Sequence, residues 1–146
     1  MLASDSRVVA AGKGGVAYLL DKSDLGHEGG EIASTELGSS AFGAAAVLGS
    51  MLFVPCSRAL VGLHVSEEAI EVAWTVPGGA GPPIVAAGAV WYSANNGGLN
   101  AVDPASGESL FSVSLDRPVS RFVSPCAGGG QVFVPDGETL LAFSLH

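Results

Sequence analysis

The chain of 146 residues carries few side chains able to do chemistry: two cysteines, three histidines, fourteen carboxylates and an Asn-Asn pair. Nucleophilic catalysis needs a thiol or hydroxyl beside a base, and a metal needs ligands at short, matched spacings. Cys56 and Cys126 stand 70 positions apart, and His27, His64 and His146 show no ligand spacing with each other or with the cysteines. No G-x-S-x-G elbow presents a serine, and "AGKGG" at 11–15 lacks the GxxxxGK[ST] spacing of a phosphate loop. Asn95 and Asn96 could ligate a cation, but they open "NNGG", the composition of a hairpin turn. His27 lies in the Gly-rich loop "DLGHEGGE", where solvation is the expected role. Spacing therefore assigns no catalytic residue, no metal site and no cofactor site.

Composition narrows the partners. The net charge is −8, with Arg7, Lys13, Lys22, Arg58, Arg117 and Arg121 as the six cations, so no basic patch can neutralise phosphates and no nucleic-acid partner is expected. The uncharged stretches 37–57 and 72–102 match the length of a spanning helix, about 20 residues. Both are broken by Gly and Pro, as in "VPGGAGPP", which would leave backbone groups unpaired in lipid, so no membrane span is expected. The start "MLASDSRVVAAGK" has no basic region followed by an apolar core, hence no visible signal peptide, and the chain as it stands reads as cytoplasmic.

The elements that position these residues come from a repeat. Twenty-one glycines, about twice the usual ~7%, punctuate short apolar runs. A shift of 39 sets "GSMLFVPCSRALVGLHV" under "GAVWYSANNGGLNAVDP", and a further 41 brings in "GGQVFVPDGETLLAFSL". In this register Gly49, Gly88 and Gly129 coincide, as do Phe53, Tyr92 and Phe133; Leu60, Leu99 and Leu140; and the small residues Gly62, Ala101 and Ala142. A repeat near 40 residues fits propeller blades of four antiparallel strands. "PPIVAAG" reads as an inner strand, "AVWYSA" as the second, "LNAVD" as the third and the alternating "ESLFSVSL" as the outer one. The recurring small residue is expected to let adjacent sheets approach. The expectation is an all-β partial propeller with approximate blades 1–38, 39–78, 79–117 and 118–146. Two of these, over 39–76 and 81–115, read as complete, and the flanking ones as incomplete. Such a chain can scarcely close a ring on itself, so pairing of two copies through open edges is one expectation.

"NAVDPASGESLF" resembles the A-x-D-x-x-T-G-x-x-x-W docking motif of the quinoprotein (PQQ-like) propeller repeats: Ala101, Asp103 and Gly107 match, Ser106 stands for Thr and Phe111 for Trp. "GVAYLLDKSDLGHEGGE" and "LFVPCSRAL" resemble the PQQ-like repeat proteins of bacteria. The resemblance implies a structural motif whose aromatic residue packs on a neighbouring blade. It also implies longer, exported relatives of seven or eight blades, which leaves the compartment open and makes this chain the C-terminal half of such a protein. Turn chemistry agrees: Asp103 can accept backbone N–H groups, Pro104 presets φ and Gly107 tolerates positive φ. The expected function is that of a non-catalytic scaffold or binding segment. Its partner would be the missing propeller half, a second copy or another protein. A fragment of a PQQ-dependent dehydrogenase is the alternative, and only that alternative brings in PQQ and Ca²⁺; the adjacent Cys-Cys pair of those enzymes is absent. Relatives carry a second Cys where Leu37 stands here, so the resemblance makes Cys56 a free thiol.

Overall fold

The computed structural model describes residues 5–117, 119 and 122–145, and the secondary structure of these residues is β-strand and turn without helix. Four antiparallel sheets follow one another along the chain. Blade I is β1 (Arg7–Ala11), β2 (Val16–Asp21) and β3 (Ala33–Glu36). Blade II is β4 (Ala46–Leu48), β5 (Met51–Pro55), β6 (Ala59–Val65) and β7 (Ile70–Pro77). Blade III is β8 (Ile84–Ala86), β9 (Ala89–Ala94), β10 (Gly98–Val102) and β11 (Ser109–Ser114). Blade IV is β12 (Cys126–Gly128), β13 (Gln131–Asp136) and β14 (Thr139–Ser144). Each sheet is a meander in sequence order, the connectivity that hairpin turns allow, with a longer loop over 22–32 between β2 and β3.

Burial follows strand position. β9 (AVWYSA) is buried along its whole length because both its faces are covered, whereas the outer β11 alternates. The core lies between the sheets. Val9, Ala17 and Leu19 of blade I meet Leu52, Val54, Val61 and Leu63 of blade II. Phe53, Leu60 and Trp74 of blade II meet Val90, Tyr92 and Val102 of blade III, and Trp91, Leu99 and Ala101 of blade III meet Val132 and Val134 of blade IV. Burial of each such large side chain is worth roughly 1.5–3 kcal/mol. Four successive meander sheets, each stacked on the next over an apolar layer, have the arrangement of propeller blades.

The ladder corrects the repeat in its second strand. Phe53 pairs with Gly62, Trp91 with Ala101 and Phe133 with Ala142, so Trp91, not Tyr92, is the counterpart of Phe53 and Phe133. Likewise Ala87, not Gly88, takes the place of Gly49 and Gly129, and its φ of 49° lies beside their 58°. The cause is one extra residue: the turn closed by Ser93 and Leu99 is longer by one than that closed by Pro55 and Leu60. The third strand keeps the expected register, with Leu60, Leu99 and Leu140 at one ladder position.

The small column also has a different cause from the one expected. Gly62 pairs with Trp74 on β7 of its own blade, and a Cβ there would overlap the Trp74 indole. Ala101 pairs with Phe111 in the same way. The small residue makes room for the outer-strand aromatic within one sheet.

Candidate functional site

The motif from Ala101 to Phe111 builds a tight turn between β10 and β11. The Asp103 Oδ1 accepts the Ala105 N–H at 2.9 Å, the Ser106 N–H at 2.8 Å and the Ser106 hydroxyl at 3.0 Å. These bonds, Ser106's first, hold the Asp103 carboxyl below its usual range. The Asp103 carbonyl accepts the Gly107 N–H at 2.9 Å, and Gly107 sits at φ 74°, a conformation open to glycine at little cost. Phe111 lies 5.4 Å from Trp91 and 5.7 Å edge-on from Phe143 of blade IV.

A residue that sequence reasoning missed completes the device. Trp74, from β7 of blade II, reaches this turn in blade III and donates its indole N–H to the Pro104 carbonyl at 3.0 Å. A Cβ on Gly107 would lie 2.8 Å from Trp74 Cδ2, so glycine is required there by contact as well as by φ. Trp74 also stacks on Phe53 at 5.8 Å. Its signal in the sequence was the tryptophan on an alternating outer strand opposite the small Gly62.

Related side-chain ties recur elsewhere. Asp21 accepts the Ser23 hydroxyl and N–H at 2.6 and 2.8 Å, and these with Arg7 at 2.8 Å hold its carboxyl low. Arg7 also meets Glu67 at 3.3 Å, joining blade I to a blade II turn. The buried Asp136 carboxylate accepts the backbone N–H groups of Asp116 and Arg117, tying the chain that leaves blade III to blade IV.

The residues that could have done chemistry are dispersed or already engaged. His27 and His64 are exposed in different blades, and His146 lies outside the described residues. The Asn95 amide donates to the Ser57 carbonyl at 3.1 Å from the β9–β10 turn. Cys56 is buried beyond β5 and Cys126 is exposed on β12, and both are free thiols. Among the described residues no three His, Cys, Asp or Glu side chains gather to hold a metal, and no helix is long and apolar enough to cross a membrane.

The end blades each present one uncovered face. On blade IV it carries Phe133, Pro135, Leu140 and Ala142, with Leu140 66% exposed. On blade I it carries Val8, Ala10, Tyr18 and Leu20, with Tyr18 40% exposed beside a cavity of ≈ 400 Å³ that Leu25 and His27 also line.

No family model matches the sequence, and no curated protein does. Among solved structures the chain is similar to BamB from Moraxella catarrhalis, with 17% identity and a TM-score of 0.70 over 97% of this chain and 42% of that one. It is similar to the β-propeller domain of Cps50 (Swd1) from Myceliophteria thermophila, with 12% identity and a TM-score of 0.68 over 95% and 48%. It is also similar to the computationally designed Ika4 protein, with 11% identity and a TM-score of 0.71 over 98% and 88%. The chain thus spans about half the length of the first two, 42% and 48%, and most of the third, 88%. At such identities the likeness is one of fold. The layered meanders, the blade-to-blade aromatic docking and these neighbours together make the chain a partial β-propeller of three- and four-stranded blades.

Proposed function

We propose that the chain is a non-catalytic propeller unit of the PQQ-like kind, a scaffold whose blade faces bind other protein surface. The observation that carries this reading is the apolar face of blade IV, where Leu140 stands in the ladder position that Leu60 and Leu99 occupy at 0% exposure. A contiguous apolar face of core type, here Phe133, Pro135, Leu140 and Ala142, marks an interaction surface when it is left in water.

The quinoprotein-dehydrogenase alternative fits these residues poorly. The carboxylate of Asp103 is occupied by its own turn and the Asn95 amide by Ser57, and Cys56 and Cys126 lie in different blades. Among the described residues no three His, Cys, Asp or Glu side chains gather where a calcium ion could be held.

The purified chain, mixed with PQQ and Ca²⁺ and then separated from free quinone by gel filtration, is expected to emerge without quinone absorbance and to oxidise neither alcohols nor sugars in a dye-linked assay. Retained quinone with dye reduction overturns the reading.

A further inference from the structure

Blade IV repeats blade II on the side that faces the next blade. Phe133, Pro135, Leu140 and Ala142 stand where blade II has Phe53, Pro55, Leu60 and Gly62. In blade II these residues lie in or beside the layer that holds blade III: Phe53 and Leu60 are at 0% exposure, and Phe53 stacks with Trp74. In blade IV the same set faces outward.

Blade I shows the complementary half. Its uncovered residues Val8, Ala10, Tyr18 and Leu20 stand where blade II has Leu52, Val54, Val61 and Leu63, all at 2% exposure or less and packed against blade I. In blade III Val90 and Val102 hold the positions of Val8 and Leu20, at 0% and 2%. Thus one end of the molecule offers the knobs that blades present forward, and the other offers the surface that blades present backward. Neither set of four contains a charged residue, and on blade I the carboxylates Glu28 and Glu31 of the β2–β3 loop stand at the edge of the face, lining the cavity beside Tyr18.

Two such different faces on one chain make a heterologous contact, which yields a closed ring if the rotation per copy divides a full turn and a filament if it does not. The curvature is set by the blades already packed. This chain superposes on 48% of a whole β-propeller domain with 95% of its own length aligned, so its four blades describe about half a ring. Ika4 is matched over 88% of its length, so a polypeptide made almost wholly of this four-blade unit is a protein that folds and crystallises. We propose that two copies of this chain close one eight-bladed ring, blade IV of each copy seated on blade I of the other. Eight is within the usual range of about 4 to 8 blades. The inference rests on the scaffold reading above and names its partner.

The test is the mass of the full chain in sedimentation velocity, for wild type, Leu140→Glu and Tyr18→Glu. Both side chains are exposed in the single chain, so their substitution leaves the fold intact, which circular dichroism and the emission of the two tryptophans verify. Wild type is expected at twice the chain mass without larger species. Each single variant is expected as a folded monomer, because the two-fold ring uses both faces twice. An equimolar mixture of the two variants regains a weak dimer, since one of its two junctions then joins two unaltered faces.

A wild-type monomer at high concentration overturns the proposal and leaves the faces to blades of another chain. A ladder of larger species overturns closure. A dimer lost in Leu140→Glu but kept in Tyr18→Glu overturns the head-to-tail arrangement, because blade IV then pairs with itself. Quinone retention with dye reduction would defeat the scaffold reading whatever the mass, so the two failures are separable.

Discussion

The indole of Trp74 donates to the carbonyl of Pro104 at 3.0 Å across the gap between blades II and III. This bond ties the outer strand of one sheet to a turn in the next and adds a directional contact to the apolar layer between the two blades. Trp74→Phe removes the donor and part of the indole that lies against Gly62 while keeping an aromatic ring, with an expected loss of about 1–3 kcal/mol. Trp74→Ala empties the site and is expected to cost about 3–5 kcal/mol. Urea unfolding at constant m-value measures both, and a Trp74→Phe variant as stable as the wild type would refute the role of the N–H.

Asp103 gives the motif a pH dependence. Its carboxyl is held low in the folded chain by Ser106 first and then by Ala105, so the ionised form favours folding. The contribution is complete above the unfolded-state value and is lost as the pH falls below about 4, through the folded value. The melting-temperature gap between wild type and Asp103→Ala is therefore expected to be constant from neutral pH to mildly acid pH and to narrow below that. Asp21 titrates in both proteins and cancels in the difference. A gap that widens in acid contradicts the assignment.

Ala87 sits at φ 49° in the hairpin position that Gly49 and Gly129 hold at 58°. A left-handed non-glycine residue costs on the order of 1 kcal/mol. Ala87→Gly is expected to raise stability by somewhat less, because the unfolded chain gains freedom, whereas Gly129→Ala at the equivalent turn is expected to lower it. Paired thermal melts read both signs, and a destabilised Ala87→Gly would show that the turn is held by contacts rather than strained.

Legibility in the sequence followed contact range. The Asp103–Gly107 turn could be read directly because its hydrogen bonds span two to four residues and depend on residue type alone. The blade order was legible for the same reason, since Leu60, Leu99 and Leu140 mark strands joined by short turns. Trp74 was not, because its partner Pro104 lies 30 residues away in another sheet. The slip from Trp91 to Tyr92 has a local cause: two adjacent aromatics fit the column equally well, and the extra residue in the Asn95–Gly97 turn shows only as ladder pairing. Gly62 misled for a related reason, since smallness reports that something is close but not which sheet it comes from. Open ends were legible from the incomplete terminal blades, but the residues that form their faces were not, because Leu140 and Leu60 are identical as letters and differ only in what covers them.

Cys56 carries the alkaline limb of stability. It is at 0% exposure, and burial pushes its thiol up to about 11. A raised folded value means that the neutral thiol is the form the fold favours, so the stabilisation is full below the unfolded value of about 8.5 and is lost as the pH climbs through the folded one. Burial raises Tyr92 as well, adding to the same limb from the layer between blades II and III. Stability is therefore expected to decline above about pH 9, and Cys56→Ala to decline less steeply there while losing a little packing at neutral pH. The same burial separates the two thiols kinetically. In the native chain a disulfide reagent is expected to titrate Cys126 at once and Cys56 only on unfolding, giving two thiols per chain in denaturant. Two rapid thiols in the native protein would place Cys56 at the surface, and fewer than two in denaturant would show a bridge that these positions do not make.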